Sequence, residues 1–420
     1  MIKRVQNFLF YTLVFLLPIN LGKHFIVADS YVKTYLIDYM VPTIWLTDLL
    51  LVALLFVWFF NKEKNIRGKY PKFLLLFVSS LLPSLALSTR LIPSMYAFAV
   101  LVLHVLFALI LASSFDVQKN FRRVVGILSV SVILLSVLGV FQWFGQGSAF
   151  DNYLFFGEQP YSASVKGIAR VSMFGKVKVP VYGLFRHPNV FAGFLAISLF
   201  WIYTQLSLGY KSLLFKIAFT LGFFILLFTF SEVAMFSLFS GLLFFQLIKR
   251  FGKKGVLLSL LFTFGVFFIA LLLPVFSRWG SAFDDPSLYR RANLQKSSYM
   301  MLDDNALFGV GLNNFTAKVE DYLPKSQVLR FIQPTHNIFV LLFSEVGLFG
   351  FVSFLLLFMF VLFSLLSQSF GIPAILFITL LQFVLLGSFD HYLLTIHQMQ
   401  LLFWLTVGFA LTYTKEDVEV

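Results

Sequence analysis

Pro334-Thr335-His336-Asn337 places a titratable imidazole at the threshold of a long apolar run, directly after a polar loop. Histidine is the most frequent general acid–base group because its ordinary pKa lies near neutrality. Thr335 is of the N-cap type, and the partial positive charge of a helix N-terminus disfavours imidazolium. His336 is therefore a candidate general base; the bland alternative is an interfacial histidine bonded to a loop carbonyl. The two longest polar stretches hold a dense set of cations, among them Lys166, Arg170, Lys176, Lys178, Arg186, Arg278, Arg290, Arg291, Lys296 and Arg330. Any one of them reads first as solvated surface. Arg186 and Arg290-Arg291 stand out because each abuts an apolar segment, and guanidinium suits bidentate recognition of phosphate or pyrophosphate.

Glu232, Glu345, Asp390 and His391 stand at the borders of apolar runs or inside them, where an ionisable group is a functional hypothesis by default. Glu345 follows His336 by nine residues, about two and a half helical turns. It reads either as a partner for an inward cation or as an interior packing residue. Asp390-His391 is expected to join the same site. The six histidines show neither HxH nor HExxH spacing, and Asp284-Asp285 and Asp303-Asp304 are adjacent pairs in loop, so no metal and no cofactor is expected. Without cysteine, thiol catalysis and disulfides are excluded. The GVG at 309–311 reads as a turn.

The elements that must carry these groups are membrane helices. Only 12 % of the 420 residues are charged, half the usual share, while 59 % are hydrophobic and mean hydropathy is +0.89. Apolar runs fall near 7–22, 42–60, 73–88, 95–114, 124–143, 188–207, 215–230, 233–248, 255–276, 336–366, 371–389 and 394–413. Most approach the length a bilayer requires. The first is read as an uncleaved span. The pair around Ser231-Glu232 reads as a hairpin or as one long helix; taken as a hairpin, it gives about twelve spans. Lys62, Lys64, Arg67, Lys69, Lys72, then Lys119, Arg122, Arg123, then Lys249, Arg250, Lys253 and Lys254 fall in short connections, the positive-inside pattern, which places them and both termini in the cytoplasm. The net charge of +13 is thus a matter of topology and implies no nucleic acid.

The expected division is N-terminal membrane helices over 1–143, an extracytoplasmic loop over 144–187, central helices over 188–276, a large extracytoplasmic loop over 277–335 between spans nine and ten, C-terminal helices over 336–413, and a cytoplasmic tail over 414–420. The first loop contains RVSMFGKVKVPVYGLFR, whose alternation and glycines predict a short β-hairpin. In the second, residues 288–307 have helical spacing, and LFGVGLNNF turns on two glycines.

Three stretches resemble a known family. GLFRHPNVFAGFL at 183–195 is similar to the segment opening a central helix of O-antigen ligases and related polymerases. YRRANLQKSSYMMLDDNALFGVGLNNF at 289–315 resembles their arginine-led helix, with Ala306 where proline is usual. THNIFVLLFSEVGLFG at 335–350 resembles the H-N-x-x-L-x-x-x-x-E-x-G-x-x-G signature, and SFDHYLLTIHQMQLLFW fits the closing helices. The resemblance covers about 183–410.

It implies an all-α polytopic fold of the GT-C-like class in the bacterial cytoplasmic membrane. It implies inverting, metal-independent transfer of an undecaprenyl-pyrophosphate-linked glycan to an acceptor hydroxyl of a glycan, lipid or protein. His336 then matches the family histidine, and Arg291, with Arg290 beside it, matches the pyrophosphate-binding arginine. Ser231-Glu232-Val233 departs from the Ser-Arg-Gly common in ligases; Arg186 replaces that charge, or Glu232 acts on an acceptor. The rival class is a lipid-linked glycan flippase or other transporter, which should show paired halves with interrupted helices.

Overall fold

The computed structural model describes all residues except 67, 277–285, 324–331, 369 and 415–420. Arg67, Arg278, Arg330, Asp284-Asp285 and nearly all of the expected C-terminal tail lie outside the described residues. The first part of the chain runs α1 (Ile2–Leu16), β1 (Gly22–His24), β2 (Tyr31–Val32), β3 (Tyr35–Leu36), β4 (Thr43–Trp45), α2 (Leu46–Phe59), α3 (Tyr70–Ser80), α4 (Leu82–Ala86), α5 (Leu91–Ser114) and α6 (Val117–Gly145). A hairpin of β5 (Val171–Met173) and β6 (Lys176–Lys178) follows, then α7 (Pro188–Ser207), α8 (Leu213–Leu227), α9 (Glu232–Phe251), α10 (Lys253–Leu271) and the short α11 (Leu273–Phe276). The last part contains α12 (Pro286–Asp304), α13 (Phe315–Lys318), α14 (Ile338–Leu366), α15 (Ile372–Phe389), α16 (Tyr392–Thr395) and α17 (His397–Leu411).

The protein is a mostly helical, multi-pass membrane protein. Each of the twelve expected apolar runs contains a helix, and among the described residues seven helices, α5, α6, α7, α9, α10, α14 and α15, are long and apolar enough to cross a membrane. The stretch around Ser231-Glu232 is a hairpin: α8 stops at Leu227, Phe230 takes a left-handed φ of 54°, and α9 restarts at Glu232. α7 and α15 are the most buried of these seven and are joined by the Trp201 indole N–H donating to Thr379 Oγ1 at 2.8 Å. This is the interhelical polar bond expected where lipid gives no hydrophobic drive between helices.

Polar contacts sort the connections into two ends. Lys3 pairs with Glu63 at 3.1 Å, Asn65 N–H donates to the Ser113 carbonyl, Gln118 reaches Tyr413, and Arg122 lies 4.1 Å over the Tyr210 ring. The N-terminus, the basic connections around 61–66 and 113–123, and Tyr413 therefore share one end, as the charge pattern requires. The opposite end carries the predicted β5–β6 hairpin, with Met173 paired to Lys176, and the 286–323 region. It also carries residues 17–45, which reading the sequence alone did not single out; β1 pairs with β4 there, and β2 with β3.

α14 is broken where the second loop plugs into it. Gly347 has φ 64° and ψ −168° inside the helix, so the helical ladder opens there. Val310 and Gly311 donate to the carbonyls of Ser344 and Glu345, and Leu348 donates to Ala306. The first glycine of LFGVGLNNF is required by this junction: Gly309 has φ 72°, and a Cβ on it would stand 2.3 Å from the Glu345 carbonyl oxygen. Gly309→Ala should therefore destabilise the protein by about 2 kcal/mol or more, read as a lower thermal midpoint of the detergent-solubilised chain. An unchanged midpoint would show that the junction tolerates a side chain.

Candidate active site

Five segments deliver the candidate groups to one place. Pro188 occupies the first turn of α7, and the His187 ring accepts the Asn189 N–H at 3.1 Å as N-cap, the proline-after-cap pattern of a helix start. That fixes Arg186 just outside the helix. α12 carries Arg290 and Arg291 in its first turns. The α15–α16 junction holds Asp390 and His391, and residues 17–45 bring Asp38 and Tyr39. His336 stands immediately before α14. All line a single cavity of about 700 Å³, which Arg170 and His187 also border.

The cap of α14 differs from the expectation. Thr335 is buried with no hydrogen-bond partner for its hydroxyl among the described residues. Asn337 is the N-cap: its Oδ1 accepts from Phe339 and Val340, and its Nδ2 donates to the Ser388 carbonyl at 3.2 Å. A short amide side chain serves the first-turn donors as well as a hydroxyl does, and this one also ties the start of α14 to the end of α15. That bond brings the His336 and His391 rings to 5.1 Å, edge to face. Asp390 accepts the His391 N–H at 2.8 Å and the Asn189 amide at 3.3 Å, and His391 Nδ1 bonds Thr395 Oγ1 at 2.7 Å.

Among the described residues, none of Arg186, Arg290 and Arg291 enters a salt bridge. Arg186 is held over the Trp45 ring at 5.7 Å. Four guanidinium groups thus face two carboxylates, Asp38 and Asp390, around the cavity. That excess of positive charge, none of whose four members enters a salt bridge among the described residues, is what an oligoanion requires.

Residues 217–355 match the family model described as O-antigen ligase. That match supports the O-antigen ligase/polymerase-like family. Arg290, Arg291, His336 and Glu345 fall inside the matched stretch, and Arg186, Asp390 and His391 outside it. No curated protein matches the chain. The ligase-like reading carries with it membrane glycan transfer as the general activity and a lipid-linked glycan as the general donor.

Not every residue singled out from the ligase-like motifs reaches the cavity. Glu232 is exposed at the start of α9 and is not among the lining residues. Glu345 faces the loop: its Oε1 accepts the Phe315 N–H at 3.2 Å, so it fixes the second loop against α14 instead of pairing with a cation there. Lys178 lies over Trp143, and Lys166, Lys176 and Lys296 are exposed. Tyr39 and His187 were not anticipated as site residues, although His187-Pro188-Asn189 is a legible helix start. His336, Asp390 and His391 also lie close enough together to hold an ion, a grouping that no local spacing announces.

Burial holds the His336 pKa well below its ordinary value of 6.5, against the opposing pull of Asp390. Burial likewise pushes His391 down to about 4 and lowers His187. For Asp390 burial acts upward, but His391, His336, Arg291 and His187 together outweigh it and keep its pKa low. At neutral pH the site therefore holds an ionised Asp390 and three neutral imidazoles. Since the folded-state value of His336 lies below 6.5, acidification through 6.5 leaves it neutral and able to accept a proton. A kcat–pH profile should accordingly have its acid limb below 6.5; a limb centred at 6.5 or above would contradict this environment.

Proposed function

We propose that the chain transfers a glycan from undecaprenyl pyrophosphate to an acceptor hydroxyl, with inversion, at the outer face of the bacterial cytoplasmic membrane. The observation that carries this reading is the convergence of His336 with Arg186, Arg290 and Arg291 on one 700 Å³ cavity, at the end of the bundle away from the basic connections. The positive-inside rule makes the basic end cytoplasmic, hence the cavity extracytoplasmic, with twelve crossings in a GT-C-like arrangement.

In this reading His336 takes the proton of the acceptor hydroxyl as its oxygen bonds to the anomeric carbon. The bond from that carbon to the pyrophosphate oxygen breaks, and its electron pair leaves with undecaprenyl pyrophosphate. Arg291, with Arg290 and Arg186, stabilises the charge that develops on the leaving group. Asp390 and His391 flank His336 and bind sugar hydroxyls. A single displacement of this kind inverts the anomeric centre and needs only groups that the chain itself supplies.

The purified full chain, reconstituted in nanodiscs with an undecaprenyl-pyrophosphate-linked oligosaccharide and a panel of glycan, lipid and peptide acceptors, should form a new glycosidic bond and release undecaprenyl pyrophosphate. Movement of intact donor across a vesicle bilayer with no bond formed would favour the flippase reading and overturn this one.

A further inference from the structure

We infer that Asp48, His104 and His397 form a binding site for one divalent transition-metal ion of the zinc class, clamping α2, α5 and α17 together. The three side chains are buried and come from three different helices, and one possible ligand atom from each lies within 4.8 Å of the others. Asp48 Oδ2 accepts the Trp45 N–H at 3.0 Å, which leaves Oδ1 facing His397 Nε2 at 3.4 Å. Two donors bound at 2.0–2.1 Å to a tetrahedral zinc ion stand roughly 3.4 Å apart.

His104 supplies the independent observation. It is fully buried, neither ring nitrogen has a hydrogen-bond partner among the described residues, and it lines a cavity of about 160 Å³ together with His397. Its ring stands 5.1 Å from that of His397. A polar ring left without partners inside a membrane bundle is costly; an ion shared with His397 and Asp48 removes that cost. Two imidazoles and one carboxylate form a donor set suited to zinc and its neighbours. Thr47 Oγ1, 2.8 Å from His397 Nε2, or a water from the cavity completes four donors. Trp45 stacks on His397 at 5.4 Å and also lies under Arg186, so the ion would brace the wall that Arg186 shares with the larger cavity. The inference does not rest on the transfer reading, because its test reads metal and not activity.

The full chain in detergent, stripped with a chelator and reloaded with Co²⁺ or Zn²⁺, should retain one equivalent after desalting, and the Co²⁺ form should show the intense visible bands of four-coordinate cobalt. That spectrum belongs to the unsubstituted protein and needs no variant to fold. His104→Gln and His397→Gln should each weaken binding at least tenfold, whereas His336→Ala, which disables the other His/Asp group, should retain it. No retained metal in the reloaded protein would overturn the inference. So would binding that is lost in His336→Ala and kept in His104→Gln.

Discussion

His336→Ala should lower glycan transfer by roughly 10²–10⁴-fold, the range over which a positioned general base acts, while leaving the protein inserted and monodisperse. The effect should be large because the other acid–base groups of the cavity already hold hydrogen bonds: His187 Nδ1 accepts the Asn189 N–H. Asp390 is ionised, but both its oxygens already accept hydrogen bonds, from His391 and Asn189. His391 has Nδ1 engaged with Thr395 Oγ1. The fold should survive, because Asn337 and not His336 caps α14. His336→Gln separates polarity from basicity: it keeps a hydrogen-bonding side chain and should be as inactive as the alanine variant. Near-wild-type kcat in either variant would remove His336 from the mechanism.

Arg291→Ala should cost roughly 10²–10³-fold in kcat/KM, the scale seen when one preorganised group facing the developing charge is removed. Its charge acts on His336, Asp390, His391 and His187 alike, which places it centrally among the groups of the cavity. Arg291→Lys should recover part of that loss, because an ammonium restores the charge without the bidentate fork. Arg290→Ala and Arg186→Ala should raise KM for the donor with a smaller effect on kcat. Glu232→Ala should leave kcat/KM for the donor within about twofold of wild type, since Glu232 stands exposed and away from the cavity. Steady-state kinetics with the lipid-linked donor varied would separate these cases. An unaffected Arg291→Ala variant alongside a crippled Glu232→Ala variant would reverse the assignment.

The helical layout was legible because apolar runs and basic connections obey strong, local rules. The α12 helix and the β5–β6 hairpin could be read from period and turn chemistry for the same reason. Other features depended on distant partners. Thr335 and Asn337 are both good caps by type, and only the carbonyl of Ser388, more than fifty residues on, favours the asparagine. Glu345 could be read as a cation's partner or as an interior packing residue, and what decides between them, the Phe315 N–H, was hidden in a loop. Tyr39 lies in a segment between the first two apolar runs that carries no motif at all, yet its ring edge packs at 5.3 Å against His391. Asp48, His104 and His397 fall on three helices with no spacing in common, so their meeting is a property of the packing alone.

Transfer by these groups requires the donor pyrophosphate to occupy the 700 Å³ cavity. An experimental structure of the chain with bound undecaprenyl pyrophosphate tests that claim most directly. The predicted result is a pyrophosphate against Arg291, with Arg290 and Arg186 around it and His336 facing the position of the departing sugar. A pyrophosphate seated away from these arginines, whether beside Glu232 or at the basic end of the bundle, would contradict it.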